Sequence, residues 1–134
     1  MKRELLGGFL DSTRGRNNAL DQTIPFLKSH ECDPDTLNEI YRNIRNIRTA
    51  SETAGVVLIK EVSGEMENLF QSDPTRQIDY AVQLSIDQGM LGVVMERYVN
   101  IMDIMLMQLE MTGNVQTEVH DFVSFLCDMK KKGP

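Results

Sequence analysis

The sequence predicts an all-α fold, an up-and-down four-helix bundle with an additional C-terminal helix, and three observations predict it. Apolar residues recur at spacings of three and four rather than two over most of the chain. Aromatic residues are scarce (five Phe, three Tyr, no Trp) while there are nine Met, so the core is aliphatic and thioether-based, which suits helices better than a β-sandwich. Turn signals are few and fall where helices should stop: Asp33-Pro34, Asp73-Pro74 and Gly113-Asn114.

Taken in order, the first helix is predicted over residues 4–29, frayed at Gly7-Gly8 and loosened at Pro25. The second is predicted over 34–49, with Asp33 as N-cap, Pro34 at the first helical position, and Leu37, Ile40, Tyr41, Ile44 and Ile47 facing inward. A third over 50–70 carries Ala54, Val57, Leu58, Val62, Met66 and Leu69. The stretch 75–87 contains Ile78, Val82, Leu84 and Ile86 in partial alternation. A helix or irregular connection is expected there, because a lone strand would have nothing to pair with. A fourth helix is predicted over 88–111 and a fifth over 115–131, the latter carrying Val119, Phe122, Val123, Leu126 and Met129. At 134 residues, with no linker and no repeat array, residues 1–134 read as a single domain.

Charge and cysteine content narrow the function. Fourteen Lys and Arg stand against twenty Asp and Glu, a net charge of −6, which disfavours general binding to nucleic acid or to an anionic membrane. Two distant cysteines, Cys32 and Cys127, fit a reduced cytoplasmic protein better than a disulfide scaffold. The opening residues carry a short apolar stretch broken by two glycines and closed by Asp11, which argues against an export signal. No nucleophile elbow, phosphate-binding loop, dinucleotide fingerprint or metalloprotease motif is present, so no enzyme, metal or cofactor is expected.

The second and third helices hold the informative charges. Arg42, Arg45 and Arg48 recur at period three and make a basic stripe, and the third helix returns Glu61, Glu65 and Glu67. Two readings stay open at this point. One is a solvated face with scattered ion pairs, such as Arg48 with Glu52 four residues on. The other is a docking face for an acidic pocket, since guanidinium forks pair well with carboxylates.

The run Leu37-Asn38-Glu39-Ile40-Tyr41-Arg42-Asn43-Ile44-Arg45-Asn46-Ile47-Arg48 resembles the segment around the active histidine of histidine-phosphotransfer (HPt) domains. Among these it is most similar to the N-terminal phosphotransfer domain of the chemotaxis histidine kinase. The likeness continues without a gap through Gly55 and Glu61 to Met66-Glu67-Asn68-Leu69, covering residues 37–70. It implies a helical bundle acting in bacterial two-component or phosphorelay signalling, in the cytoplasm, whose second and third helices dock a response-regulator receiver domain or a histidine kinase.

The departures from that pattern bear on the chemistry. Arg45 stands at the phosphoacceptor position, Arg48 replaces the family lysine, Thr49 replaces the neighbouring glycine, and Gly64 occupies the place of a second histidine. Glu67, which in the family orients the imidazole, is kept. A guanidinium is always protonated and cannot be the nucleophile that phosphoryl transfer requires. The resemblance therefore implies a degenerate site made of Arg42, Arg45, Arg48, Thr49, Gly64 and Glu67, with Glu67 expected to pair with Arg45 across the two helices. His30 and His120 lack the surroundings of a phosphoacceptor, and a zinc site from His30, Cys32, His120 and Cys127 has the wrong spacing. The alternatives are an active phosphotransfer protein using one of those histidines and a structural dimerisation module.

The dimerisation alternative rests on the fourth helix, where Met90, Met95, Met102, Met105, Met107 and Met111 join eight aliphatic residues and leave a narrow polar strip. Such a helix is buried on more than one side. Either the fifth helix and residues 75–87 cover its second face, or a Met-rich surface is left for a partner or a homodimer.

Overall fold

In the computed structural model, which describes residues 3–71 and 83–131, five helices carry the chain: α1 (Arg3–Lys28), α2 (Pro34–Ala54), α3 (Val57–Glu67), α4 (Gln88–Thr112) and α5 (His120–Lys131). The all-α expectation holds. Helix α1 is continuous through Gly7-Gly8 and Pro25, against the expected fraying and loosening. Proline forfeits its own N–H but keeps its carbonyl, and here the Ser29 amide and hydroxyl donate to that carbonyl at 3.1 and 3.0 Å. The helix then stops on a two-bond C-cap. The amide of Glu31 donates to Phe26 O (2.8 Å) and that of His30 to Leu27 O (3.1 Å), with His30 at φ 58°.

Helix α2 begins as the sequence predicts. Pro34 opens it and Asp33 accepts from the Thr36 amide at 2.7 Å, a bond that holds the Asp33 carboxyl below its usual range. Its end is five residues later than expected. The inward stripe Ile40, Ile44, Ile47 continues through buried Ser51 to Ala54, and only Gly55, at φ 76°, takes the left-handed conformation that turns the chain. The Val56 amide donates back to Ser51 O at 2.9 Å, and α3 starts at once. Helices α2 and α3 are thus an antiparallel hairpin with a two-residue joint.

The region after α3 departs further. Phe70–Gln71 (β1) pairs antiparallel with Gln83–Leu84 (β2), Phe70 opposite Leu84. The expectation that no partner existed for a strand is overturned at Gln83–Leu84, whose partner is the segment read as the end of the third helix. Ser85 extends the link by donating its amide to Leu69 O at 2.8 Å. The expectation for residues 75–82 lies outside the described residues.

Helix α4 is capped by Asp87, which accepts from the Met90 amide at 2.8 Å, and ends on left-handed Gly113. Helix α5 starts at His120, not at 115. Residues 115–119 are held off the helix by Gln108, whose side-chain oxygen accepts from the Gln116 amide (2.9 Å) and the Thr117 hydroxyl (2.7 Å).

Helix α1 lies against α2 and α4, α2 against α3, α3 against α4, and α5 adds on to α3. Contacts fall in opposite order along α1 and α4, so the pair is antiparallel: Arg14 meets Glu110, Asn17 reaches Asp103 and Val99, and Lys28 meets Glu96. The crossing is tightest at buried Gly92, where an added Cβ would stand 2.8 Å from Lys28 Cγ and 3.0 Å from its backbone nitrogen. The core is fully buried Leu20, Leu27, Ile44, Ile47, Ile59, Met66, Met95 and their neighbours, with Tyr98 and Phe122 the largest members. At its centre the Ser63 and Tyr98 hydroxyls bond to each other at 2.8 Å. The α1–α2 turn is tied to α4 by Gln88, whose amide accepts from Cys32 N (3.1 Å) and donates to Cys32 O (3.0 Å).

Candidate functional site

The α2/α3 hairpin brings the six residues of the expected site onto one flank. At 100° per residue, Arg48 lies ~40° from the buried Ile44 line, Arg45 about 60° beyond it and Arg42 about 60° further. The three arginines therefore fan out from the groove between the helices, over its rim, to open solvent. Burial follows that order: Arg48 is half-buried, while Arg45 and Arg42 are exposed.

Arg48 turns inward. Its Nε donates to Glu67 of α3, and a terminal nitrogen lies 3.5 Å from Glu52. The Glu67 hydrogen bond raises the affinity of the guanidinium for its proton. The i, i+4 pair of Arg48 with Glu52 matches the sequence expectation. The expected pairing of Glu67 with Arg45 does not: Glu67 is taken by Arg48. Register explains the difference, because Arg48 points across the joint at the last turn of α3 while Arg45 points past it. Arg45 and Arg42 form no ion pair among the described residues.

Gly64 makes room for this inward turn. A Cβ built there would touch Arg48 Cδ at 3.5 Å, so a larger side chain would compete with the arginine stem. Thr49 is exposed and its hydroxyl is used locally, donating to Arg45 O at 2.9 Å. Thr49 and Arg42 thus flank the pair without joining it.

Between α2 and α3 lies an open groove of about 720 Å³. Beside Arg48, Gly64 and Glu67, it is lined by Tyr41, Lys60, Glu65 and Phe70, residues that the sequence reading did not assign to the site. Tyr41 and Phe70 close one end with ring centroids 5.6 Å apart. The signal for Tyr41 was its place one turn before Arg45; Phe70 was missed because it belongs to β1 rather than to a longer third helix. Glu61, Glu65 and Glu67 outnumber Arg48 and Lys60 in this lining, so the groove is not itself basic. The positive character of the flank sits on the rim, at Arg45 and Arg42.

Neither histidine approaches this flank. His30 caps α1, its ring lying where a Cβ on Gly89 would be, and His120 opens α5 and is exposed. Among the described residues no three His, Cys, Asp or Glu are grouped so as to hold a metal ion, and no helix is long and apolar enough to cross a membrane. Comparison with family models, with curated proteins and with solved structures finds no match for the chain.

Proposed function

We propose that this chain is a degenerate HPt-like interaction module that docks a response-regulator receiver domain, or the histidine kinase that serves one, without accepting phosphate. One observation carries the reading. The residue at the phosphoacceptor position of the resembled pattern, Arg45, is an exposed guanidinium with no ion-pair partner among the described residues, on the rim of the α2/α3 groove. A phosphorylation pocket built from carboxylates is the complement of such a group, and charge-assisted forks from Arg45 and Arg42 would fix orientation as well as attraction. Arg48 has a different task. Held by Glu67 and Glu52, it braces the hairpin that presents the other two.

The test is calorimetric titration with purified receiver domains, together with incubation against phosphorylated receivers. Binding is expected to weaken at least tenfold in Arg45→Glu, to weaken less in Arg42→Glu, and to fall with added salt. Arg48→Met is expected instead to lower stability by about 1 kcal/mol, the scale for a partly exposed charged hydrogen bond, with binding little changed. No label should pass to the chain. Binding that is indifferent to Arg45→Glu, or acid-labile label on His30 or His120, would refute this reading.

A further inference from the structure

A second surface lies away from the arginine rim. Along the outward side of α4, Met90, Val93, Ile104, Met107 and Met111 are large, apolar and exposed; Met111 is 76% exposed. They form two apolar clusters on one helix face, Met90 with Val93 and Ile104 with Met107 and Met111, separated by exposed Arg97 and Asn100. Phe125 of α5 joins them, with the Arg97 guanidinium 5.4 Å from its ring and 5.0 Å from that of buried Phe122. The sequence left open whether α5 and residues 75–87 cover this face; of that segment, 75–82 lie outside the described residues. Helix α5 packs on α3, and no described element lies over the clusters.

Charge flanks the clusters on both sides. On the α1 side Glu96, Asp103 and Glu110 follow one another at seven-residue intervals, each fixed by α1: Glu96 by Lys28, Asp103 by Asn17 and Glu110 by Arg14. On the α5 side Asp121 and Asp128 share the helix face of Phe125, four residues before it and three after, and both are exposed. Among the described residues Lys28 and Arg14 pair with Glu96 and Glu110, leaving Asp103, Asp121 and Asp128 against Arg97. The C-terminus of α4, beside Met111, adds the partial negative charge of its last carbonyls.

We infer that this α4/α5 face receives a basic amphipathic helix from a partner protein. Methionines adapt to varied apolar faces, and apolar clusters bordered by carboxylates are the complement of a helix with leucine-type residues along one side and Lys or Arg beside them. A second copy of the chain is the poorer occupant. In an antiparallel pairing about a twofold axis the Glu96–Asp103–Glu110 edge would meet itself, and in a parallel pairing Arg97 would meet Arg97. The inference does not rest on receiver docking.

The test uses a fluorescent synthetic peptide of about five helical turns, leucine at heptad a and d and lysine elsewhere, followed by anisotropy and by methionine-methyl NMR of the intact chain. Binding is expected with shifts at Met107 and Met111, at least tenfold weaker in the Met107→Ser, Met111→Ser double variant and in Asp121→Lys, Asp128→Lys. All four positions are partly or fully exposed, and unchanged thermal melts would confirm that these variants fold. Arg45→Glu should leave peptide binding unaltered, which separates this surface from the arginine rim. Three results would overturn the inference: no binding, equal binding of the same peptide with glutamate for lysine, or a dimer in sedimentation that disappears in the methionine double variant and excludes the peptide.

Discussion

Among the described residues Tyr98 is the one ionisable group buried completely in the core, and its environment sets a pH limit on the fold. Desolvation holds its phenol well above the ordinary range, with the Ser63 hydrogen bond opposing that shift only in part. The folded pKa lies above the unfolded value of about 10, so this contribution to stability is complete below pH ~10 and is lost as pH rises beyond it. In Tyr98→Phe the Ser63 hydroxyl loses its partner at a cost of about 1 kcal/mol at neutral pH. The same variant should flatten the alkaline fall in unfolding free energy by up to roughly 1.4 kcal/mol per pH unit, measured by urea denaturation between pH 9 and 11. Cys32 is a second residue-scale case. Burial, then Asp33 and Glu31, push its thiol up, so alkylation at pH 8 should run well behind that of an unhindered cysteine.

Among the elements, two glycines test opposite effects. Replacing Gly92 by Ala sets a methyl against the Lys28 backbone at the α1–α4 crossing, and overpacking of about 1–3 kcal/mol outweighs the helix propensity gained. Gly15 lies mid-helix with nothing within 4 Å of an added Cβ, so Gly15→Ala should stabilise by about 0.5–1 kcal/mol. Thermal melts of the two variants should move in opposite directions. The elements also show what the sequence made legible. Helix α4 was readable almost to the residue because its period is long and Asp87 and Gly113 cap it. The α2–α3 break was misplaced because the apolar period crosses it without interruption, leaving only Gly55 to mark it. The start of α5 was hidden because Gln108, on another helix, binds Gln116 and Thr117 and residues 115–119 stay outside the helix. At the candidate site Arg48–Glu52 follows from spacing on one helix, whereas Arg48–Glu67 depends on the register between two, which no local pattern encodes.

On the scale of the whole molecule, exposed Arg45 and Arg42 of α2, which form no ion pair among the described residues, and the outward face of α4 and α5 are built from different side chains. Surfaces that share no side chain should behave independently. Arg45→Glu combined with Met107→Ser, Met111→Ser should therefore lose receiver binding and peptide binding by the same factors as the separate variants, to within about twofold. A larger departure would mean that the helices between the faces transmit a shift.

The bond between Arg48 and Glu67 also bears on how the chain could change. A histidine placed at position 45 would put an imidazole on the rim, but Glu67 is already held by Arg48, one turn away. Position 64 offers no second imidazole. An imidazole oriented by Glu67 at position 45 would therefore need Arg45 and Arg48 replaced together, the second step giving up the bond that joins α2 to α3.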